Sequence, residues 1–567
     1  MPYSAPVRDI RFILDHVVGF PEVAATARFA DATPDVVEAI LTEAGRIATD
    51  ILTPLNRAGD LQPARLEDGV VVAPPGFAEG YRALAAGGWV GMAARPAHGG
   101  MGLPMALATA VDDMVSGACL ALQIKMVLTK GQIEALEHHA SDAIRAIYLP
   151  KLTSGEWSGT MNLTEPQAGS DVGALRATAR PNGDGTYSVS GQKIYISWGD
   201  SDLVSNVCHL VLARLPGAVE GTKGISLFMV PKFIPDAEGN LGARNSLRVI
   251  GLEHKLGIHG SPTCVIQYDG ATGWLVGEPH KGMAAMFTMM NNARLSVAVQ
   301  GVGLAEAALQ HALAYASDRR QGATPLSPDG AIIEHADVRR MLATMRAEVF
   351  AARSISLYCA VAMDRANATG REDWQARAAL LTPIAKAYGT DTGCDVASMG
   401  IQIHGGMGFV EETGAAQFLR DVRITTIYEG TNGIQAMDLV GRKLADGGEA
   451  AFRLIDEVQR AAEAARSSLP DLAGEVWQAS EALRETTEAL LSRPMNDRFA
   501  GAVPYLRGFA RVLGGHAHLV AALADPARLP LARVMIRRLL PEHLSLFAAA
   551  REGADGLYAV TPEDLAA

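Results

Sequence analysis

Cysteine, aromatic residues and positive charge are all scarce in this chain, and each scarcity closes off a class of protein. Only five cysteines occur in 567 residues: Cys119, Cys208, Cys264, Cys359 and Cys394. None is paired as Cys-x-x-Cys, and an odd, scattered set builds neither a disulfide framework nor a zinc site, so no metal is expected. Each reads as a small buried hydrophobe in a reducing, cytoplasmic setting. Basic residues number 50 against 62 acidic ones, a net charge of −12. Binding nucleic acid requires a basic surface, so that partner is excluded. No run of about 18 apolar residues is free of polar ones, since even Leu295 to Ala316 carries Glu306, Gln310 and His311. Near the start, Arg8, Asp9, Arg11 and Asp15 leave no room for a secretory core. Neither a membrane segment nor a leader is expected. The nucleotide and hydrolase signatures G-x-G-x-x-G between strand and helix, G-x-x-x-x-G-K-[ST] and H-E-x-x-H are absent as well. Gly169-Ser170-Asp171 lacks the pattern of a nucleophile elbow.

What is present is a globular chain, 49% apolar and 20% charged, long enough for about four domains. Thr33, Pro34 and Asp35 mark a helix start, and apolar residues from Val36 to Ile51 follow at helical spacing. Further amphipathic stretches make the first ~150 residues read as all-helical, interrupted by the loop His98 to Pro104. From Trp157 the texture changes. Tyr187 to Ser190 and Lys193 to Ser197 alternate at period two, and short β-rich runs recur between Asn182-Gly183, Pro216-Gly217 and Asp269-Gly270 turns. This predicts a small antiparallel barrel or sandwich. Helical spacing returns at Gly282, and after Asp446-Gly447-Gly448 a helical tail follows. The expected domains are 1–156 (helical), 157–280 (β), 281–445 (helical bundle) and 446–567 (additional helical domain).

Three segments could carry chemistry. Met161 to Asp171 offers the hydroxyls of Thr164 and Ser170 and, at Gly169, close backbone approach to a planar polar ligand; alone, it also fits a solvated turn. Gln402 to Gly408 has paired glycines whose N–H groups could face phosphates, although a helix C-cap fits the same residues. His404 in it reads as structural. Ile427 to Gln435 places Glu429 just before a helix, with Asn432 and Gln435 expected to form a capping box and Gly430 leaving little bulk beside the carboxylate. A loop glutamate is ordinarily solvated.

Taken together the segments resemble the acyl-CoA dehydrogenase family over about residues 30–445. The markers are His98 to Leu103, Leu163 to Asp171, Lys193 to Gly199, Arg294 to Gly303, Arg319 to Pro325, Gln402 to Phe409 and Tyr428 to Gln435. The resemblance implies an α+β multidomain fold of N-terminal helices, a middle β-barrel and a C-terminal helical bundle, with an extra helical domain behind it. It also implies FAD, an acyl-CoA substrate, and an electron-transferring flavoprotein as redox partner. Glu429 falls on the catalytic base that removes the α-proton of the thioester. Ser170 and Arg294 fall on the substrate site; Ala293, just before Arg294, cannot serve as the alternative base used in some branches. Met161, Leu163, Thr164, Gly169, Ser170, Tyr195, Ser197 and Thr431 match the flavin lining. Arg319, Gln402, Gly405 and Gly406 match positions that reach FAD in a neighbouring subunit, which implies a homodimer or a tetramer. Tyr195 stands where many relatives carry Trp, and Arg319-Arg-Gln-Gly-Ala replaces the usual R-x-x-F-G.

The long tail and the blocks Phe12 to Gly19, Gly131 to His139, Tyr195 to Gly199 and residues 286–294 are similar to one branch in particular. Its members act on 3-methylmercaptopropionyl-CoA in bacterial dimethylsulfoniopropionate breakdown. Related tail-bearing enzymes oxidise short and medium straight-chain acyl-CoAs. An acyl-CoA oxidase and a non-catalytic helical scaffold complete the alternatives. Met283, Met286, Met289 and Met290 are spaced as core residues.

Overall fold

The helix predicted from Thr33 runs over Pro34–Arg46, with the Thr33 hydroxyl accepting from the Val36 N–H at 3.4 Å. This is seen in a computed structural model that describes residues 3–567. Up to residue 156 the described chain is helical with one exception: Arg65–Glu67 (β1) and Val70–Val72 (β2) pair as a tight antiparallel hairpin. Two three-residue strands around Asp68-Gly69 are too short for a period-two signal to stand out. The apolar helix Met105–His139 is broken at Cys119, whose φ of −158° and ψ of 90° leave the helical region. It is long and apolar enough by composition to cross a membrane, yet 94% of its most apolar window is buried inside the protein.

The described chain divides into two compact units. One contains residues Arg46–Leu103 and Ala118–Ala293, and its centre is the β domain. Seven strands build it: Trp157–Asn162 (β3), Thr178–Pro181 (β4), Tyr187–Ser197 (β5), Asn206–Arg214 (β6), Ile225–Pro231 (β7), Leu247–Leu252 and Thr263–Val276, the last two numbered β10 and β11 after the small pair Phe233–Pro235 (β8) and Leu241–Arg244 (β9). Strand β11 pairs with β5 and β7, β6 pairs with β7 and β4, and β4 with β5, which closes a ring. The expected barrel is there, but β3 and β4 run parallel to β6, so it is mixed rather than antiparallel. Alternation along the strands turns Val189, Ile196, Val211, Phe228, Ile266 and Tyr268 into one apolar interior.

The second unit contains the residues up to Gly45, Pro104–Gly117 and Arg294–Ala567. Its core helices Ala336–Thr369 and Glu372–His404 are antiparallel neighbours, and Gly370, at φ 66°, supplies the left-handed C-cap between them. The helical spacing of the tail predicts segments Ala450 to Leu469, Leu472 to Leu491, Gly501 to Leu523 and Arg528 to Glu552. The helices Glu449–Ala465, Pro470–Leu491 and Ala502–Ala524 match the first three. The fourth is broken into Leu529–Val534, a π-turn over Met535–Leu539, a 3-10 turn over Leu540–Glu542 and His543–Glu552. They are built into the bundle: Arg511 of the tail is buried against Glu348 and donates to the Tyr388 hydroxyl at 3.1 Å. Four of the five cysteines are buried and all are free; Cys394 is partly exposed, against expectation. Met286 and Met289 are fully buried, whereas Met283 and Met290 are only partly so.

Candidate active site

Between the tight turn Arg423–Thr426 and the short helix Asn432–Asp438 the backbone makes two consecutive left-handed residues, Glu429 at φ 56° and Gly430 at φ 85°. Glycine accepts this freely, while a residue with a Cβ is strained there by about 1–3 kcal/mol. A side chain at 430 would bring its Cβ to 2.8 Å from Gln435 Nε2. The strained turn is therefore held from outside. Gln435 Nε2 donates to the carbonyls of Glu429 (3.1 Å) and Gly430 (3.3 Å). Lys386 Nζ, from the Glu372–His404 helix, donates to the Gly430 carbonyl and to Asn432 Oδ1, both at 2.9 Å.

The expected capping box is not formed. Thr431 is the N-cap, its hydroxyl accepting from the Ile434 N–H at 3.3 Å. The reason is local: the backbone turns helical only after Thr431, so Asn432 is already inside the helix. Its amide instead donates to Asp391 Oδ1 (2.6 Å), Thr390 Oγ1 (3.0 Å) and the Ala387 carbonyl (3.3 Å). The helix Asn432–Asp438 then widens into a π-turn over Leu439–Lys443, a distortion common beside functional sites.

The electrostatics of this loop are unsettled by design of the surroundings. Glu429 Oε2 is buried and has no hydrogen-bond partner among the described residues. Burial raises the Glu429 carboxyl to about 7, against the opposing pull of Arg294 and Lys386. Arg294 is buried, its Nη1 lies 3.5 Å from Asp438 Oδ2, and its Nε lacks a hydrogen-bond partner. Tyr428 donates its hydroxyl to the Gln300 amide oxygen. A carboxyl poised near neutrality with a free lone pair is suited to accept a proton from a ligand carbon or heteroatom.

Of the predicted site residues, Glu429, Arg294 and Thr431 are thus brought to one loop. A second group lies together in the β domain. The Ile194 N–H donates to the Thr164 carbonyl at 3.0 Å, and buried Lys193 donates to the Leu163 carbonyl at 2.9 Å and to Glu165 at 2.8 Å. Glu165 in turn accepts from the N–H groups of Arg176 (2.7 Å) and Ala177 (3.0 Å). This clamp holds the segment after Met161 against the end of β5. There the register with β11 slips between Lys193 and Ile196, and the resulting bulge holds Tyr195 at φ 60° with 61% of its surface exposed. Ser197 is partly exposed, and Gly169 and Ser170 stand in the open loop. A third group, Arg319, Gln402, Gly405 and Gly406, is exposed. His404 is buried beneath it, stacked on Tyr315 with ring centroids 4.4 Å apart, in the structural role expected. A Cβ built on Gly169, Gly405 or Gly406 meets no atom within 4 Å, so a ligand can approach the main chain at all three. No group of side chains able to hold a metal occurs among the described residues.

Lys386 and Asp438 were not read from the sequence as site residues. One signal for Lys386 was available: it is the only charged residue between Arg377 and Asp391, in a run, Ala378 to Tyr388, that is otherwise apolar but for Thr382.

Comparison with known proteins places family domains along most of the chain. Residues 64–156, 160–271 and 280–444 match the N-terminal, middle and C-terminal domains of acyl-CoA dehydrogenases, and residues 454–561 match an acetyl-CoA dehydrogenase C-terminal-like domain. The chain is 45% identical to 3-methylmercaptopropionyl-CoA dehydrogenase of Ruegeria pomeroyi over 93% of its own length and 92% of that protein's. It is 33% identical to the broad-specificity linear acyl-CoA dehydrogenase FadE5 of Mycobacterium tuberculosis over 92% and 85%. Its fold is similar to that of an acyl-CoA dehydrogenase from Bacillus anthracis solved in complex with FAD, with a TM-score of 0.75 at 21% identity over 93% and 90% of the two chains.

Proposed function

The chain belongs to the acyl-CoA dehydrogenase family, and from that premise we propose that it introduces a double bond next to the carbonyl of a short acyl-CoA thioester, with 3-methylmercaptopropionyl-CoA as substrate and FAD as cofactor. The observation that carries the reading is the buried, unpartnered oxygen of Glu429 on a left-handed loop, its carboxyl raised to about 7. Such a group stays ionised often enough near neutral pH to act, yet is basic enough to take an α-proton. Membership of an enzyme family retires the non-catalytic scaffold considered from the sequence.

FAD fits the residues present: an exposed aromatic ring at the β5 bulge suits a planar ring system, and the open glycines suit a pyrophosphate. Met161, Leu163, Thr164, Gly169, Ser170, Tyr195 and Ser197 would hold its isoalloxazine side, with Thr431 adding a hydroxyl. Arg319, Gln402, Gly405 and Gly406 would hold the adenine and pyrophosphate end in a second subunit of a homodimer. FAD held by these residues would supply the acceptor for the β-hydrogen as hydride, with an electron-transferring flavoprotein as the redox partner that would reoxidise it. Glu429 takes the α-proton at its carboxylate oxygen. Arg294 holds a positive charge beside the loop, which favours the ionised base before the proton moves. Ser170 would contact the acyl-CoA. The work is that of a cytoplasmic enzyme.

The 45% identity over nearly the whole chain supports the thioether substrate. The resemblance to a broad-specificity linear enzyme favours a second reading, a short or medium straight-chain acyl-CoA dehydrogenase. A thioether sulfur is close to a methylene in size, and an apolar pocket discriminates by only about 1–3 kcal/mol per methylene. The test is anaerobic titration of the purified holoenzyme with acyl-CoAs of increasing length, following bleaching of the yellow flavin band. The expected result is one FAD per chain, with 3-methylmercaptopropionyl-CoA and butyryl-CoA among the best substrates. Palmitoyl-CoA as the best substrate would overturn the short-chain reading, and a protein without FAD would overturn the mechanism.

A further inference from the structure

Lys386 is fully buried, and its ammonium touches no carboxylate. Its two hydrogen-bond acceptors are neutral, the Gly430 carbonyl and the Asn432 amide oxygen. Burying a cation without a bonded counter-ion is costly, and a fold that needed only packing here would carry Met or Leu. Lys193 in the β domain shows the ordinary solution: equally buried, it donates to Glu165 at 2.8 Å. Lys125 is also buried on neutral acceptors, the Ser158 hydroxyl at 3.0 Å and the Ser201 hydroxyl at 3.3 Å; what sets Lys386 apart is that it stands beside the proposed base. Resting on the reading of Glu429 as that base, we propose that Lys386 is a positioning residue: its ammonium locks the Glu429–Gly430 turn through the Gly430 carbonyl and supplies the charge that keeps Glu429 ionised.

The geometry gives both parts of this role. The Gly430 carbonyl accepts from Lys386 and Gln435 together, so the peptide plane after Gly430 is held by two donors, while Gln435 also holds the peptide after Glu429 through the Glu429 carbonyl. Asn432 seats the lysine: its oxygen accepts from Lys386 at 2.9 Å, while its nitrogen donates to Asp391 and Thr390 on the helix that carries Lys386. The charged groups acting on the ammonium are Glu429 and Asp391, which favour it, and Arg294, which opposes it. Behind these, Asp391 faces Asp395 and Arg507. Arg294 faces Asp438 and Arg442, and Lys443 faces Asp438 as well. Tyr428 beside Glu429 has its ionisation pushed up by burial and stays neutral. Burial brings Lys386 down to about 7 and raises Glu429 to about 7, each against the opposing pull of the other's charge.

The experiment uses the full-length, FAD-loaded enzyme in four forms: wild type, Lys386→Met, Lys386→Arg and Glu429→Gln. Two quantities are followed against pH: kcat/KM, and the infrared band of the protonated carboxyl in the substrate-free protein, with Glu429→Gln as its blank. Removing a nearby positive charge disfavours the carboxylate, so Lys386→Met should move both titrations upward by about one pH unit or more. It should also lower kcat at least ~10-fold while changing KM by less than ~3-fold, the signature of an interaction not spent on substrate binding. Lys386→Arg, which keeps the charge, should titrate near the wild-type position. Should Lys386→Met not fold, Lys386→Gln, a neutral donor, carries the same test. If the neutral variant titrates as wild type while Glu429→Gln is inactive, this proposal falls alone. If Glu429→Gln keeps more than about a tenth of the wild-type rate, the reading of Glu429 as base falls first.

Discussion

Two clusters of buried charge lie in the same helical unit and are finished differently. Around Arg353 every demand is met: its guanidinium donates to Asp113 at 2.6 and 3.3 Å and to Glu306 at 3.0 Å. Glu306 also accepts from Gln310 at 3.0 Å and lies 3.3 Å from Arg346. No buried polar side-chain atom of Arg353, Asp113 or Glu306 lacks a partner. The neighbouring cations hold the Glu306 carboxyl below its ordinary value even though it is fully buried. Around Glu429 the same ingredients are left open. Glu429 Oε2, Arg294 Nε, Asp438 Oδ2 and Gln435 Oε1 all lack hydrogen-bond partners among the described residues, and burial raises the Glu429 carboxyl as it raises that of Asp113 in the closed cluster. Burial alone therefore does not mark a functional charge. Unspent hydrogen-bonding capacity beside a buried charge is where a ligand can supply what the protein withholds, a condition that Glu134 Oε2 in the other unit also meets.

The largest expected effect comes from the open cluster. Glu429→Gln should lower kcat by about 10⁴-fold, roughly 5.4 kcal/mol of barrier, because an amide cannot take the α-proton. Its melting temperature should not fall; a melting temperature several degrees lower in a scan of the FAD-loaded variant would show that the open cluster is structural after all.

The closed cluster should answer in the opposite currency of stability. Arg353→Met leaves Asp113 and Glu306 buried without their shared cation, and the expected cost is about 3–5 kcal/mol in urea unfolding. The kcat of the molecules that remain folded should match wild type. A selective loss of kcat at unchanged stability would erase the distinction between the clusters.

The smallest effect sharpens the comparison by pH. The Glu429 carboxyl rises from 4.5 in the unfolded chain to about 7 in the fold, so the native state holds a proton that the unfolded chain has lost. Wild-type stability should therefore decline as pH rises through that window, and Glu429→Gln should escape the decline. The stability gap in favour of Glu429→Gln should widen between about pH 5 and pH 8 by at most ~3 kcal/mol, the equivalent of the shift. Denaturant titrations at the two pH values check it, and a gap that narrows would contradict the raised carboxyl.

Sequence patterns carried much of this architecture and part of the site. Apolar spacing located the tail helices and the change to strands at Trp157 because periods of 3.6 and 2 are local properties. The hairpin at Arg65–Val72 escaped because six paired residues are too few for a period, and the parallel pairing of β3 with β6 because partners 49 residues apart leave no trace in either segment (Trp157 opposite Asn206). Glu429 was legible through the motif around it. The capping role given to Asn432 was misplaced by one residue, since Thr431 and Asn432 are both good caps and only the backbone decides between them.

By itself the amino-acid sequence determined the order of helix, barrel, helix and tail, and the identity of the carboxylate set before the Asn432 helix. These follow from residue types and their spacing along one chain, where neighbours in sequence are neighbours in space. Tertiary structure alone decided which charges are finished and which are left open. Arg353 meets an aspartate 240 residues away, and Lys386 meets the carbonyl of a residue 44 positions further on. Whether a buried ion is paired depends on which groups long-range packing brings within about 3 Å of it, and on how much water that packing removes.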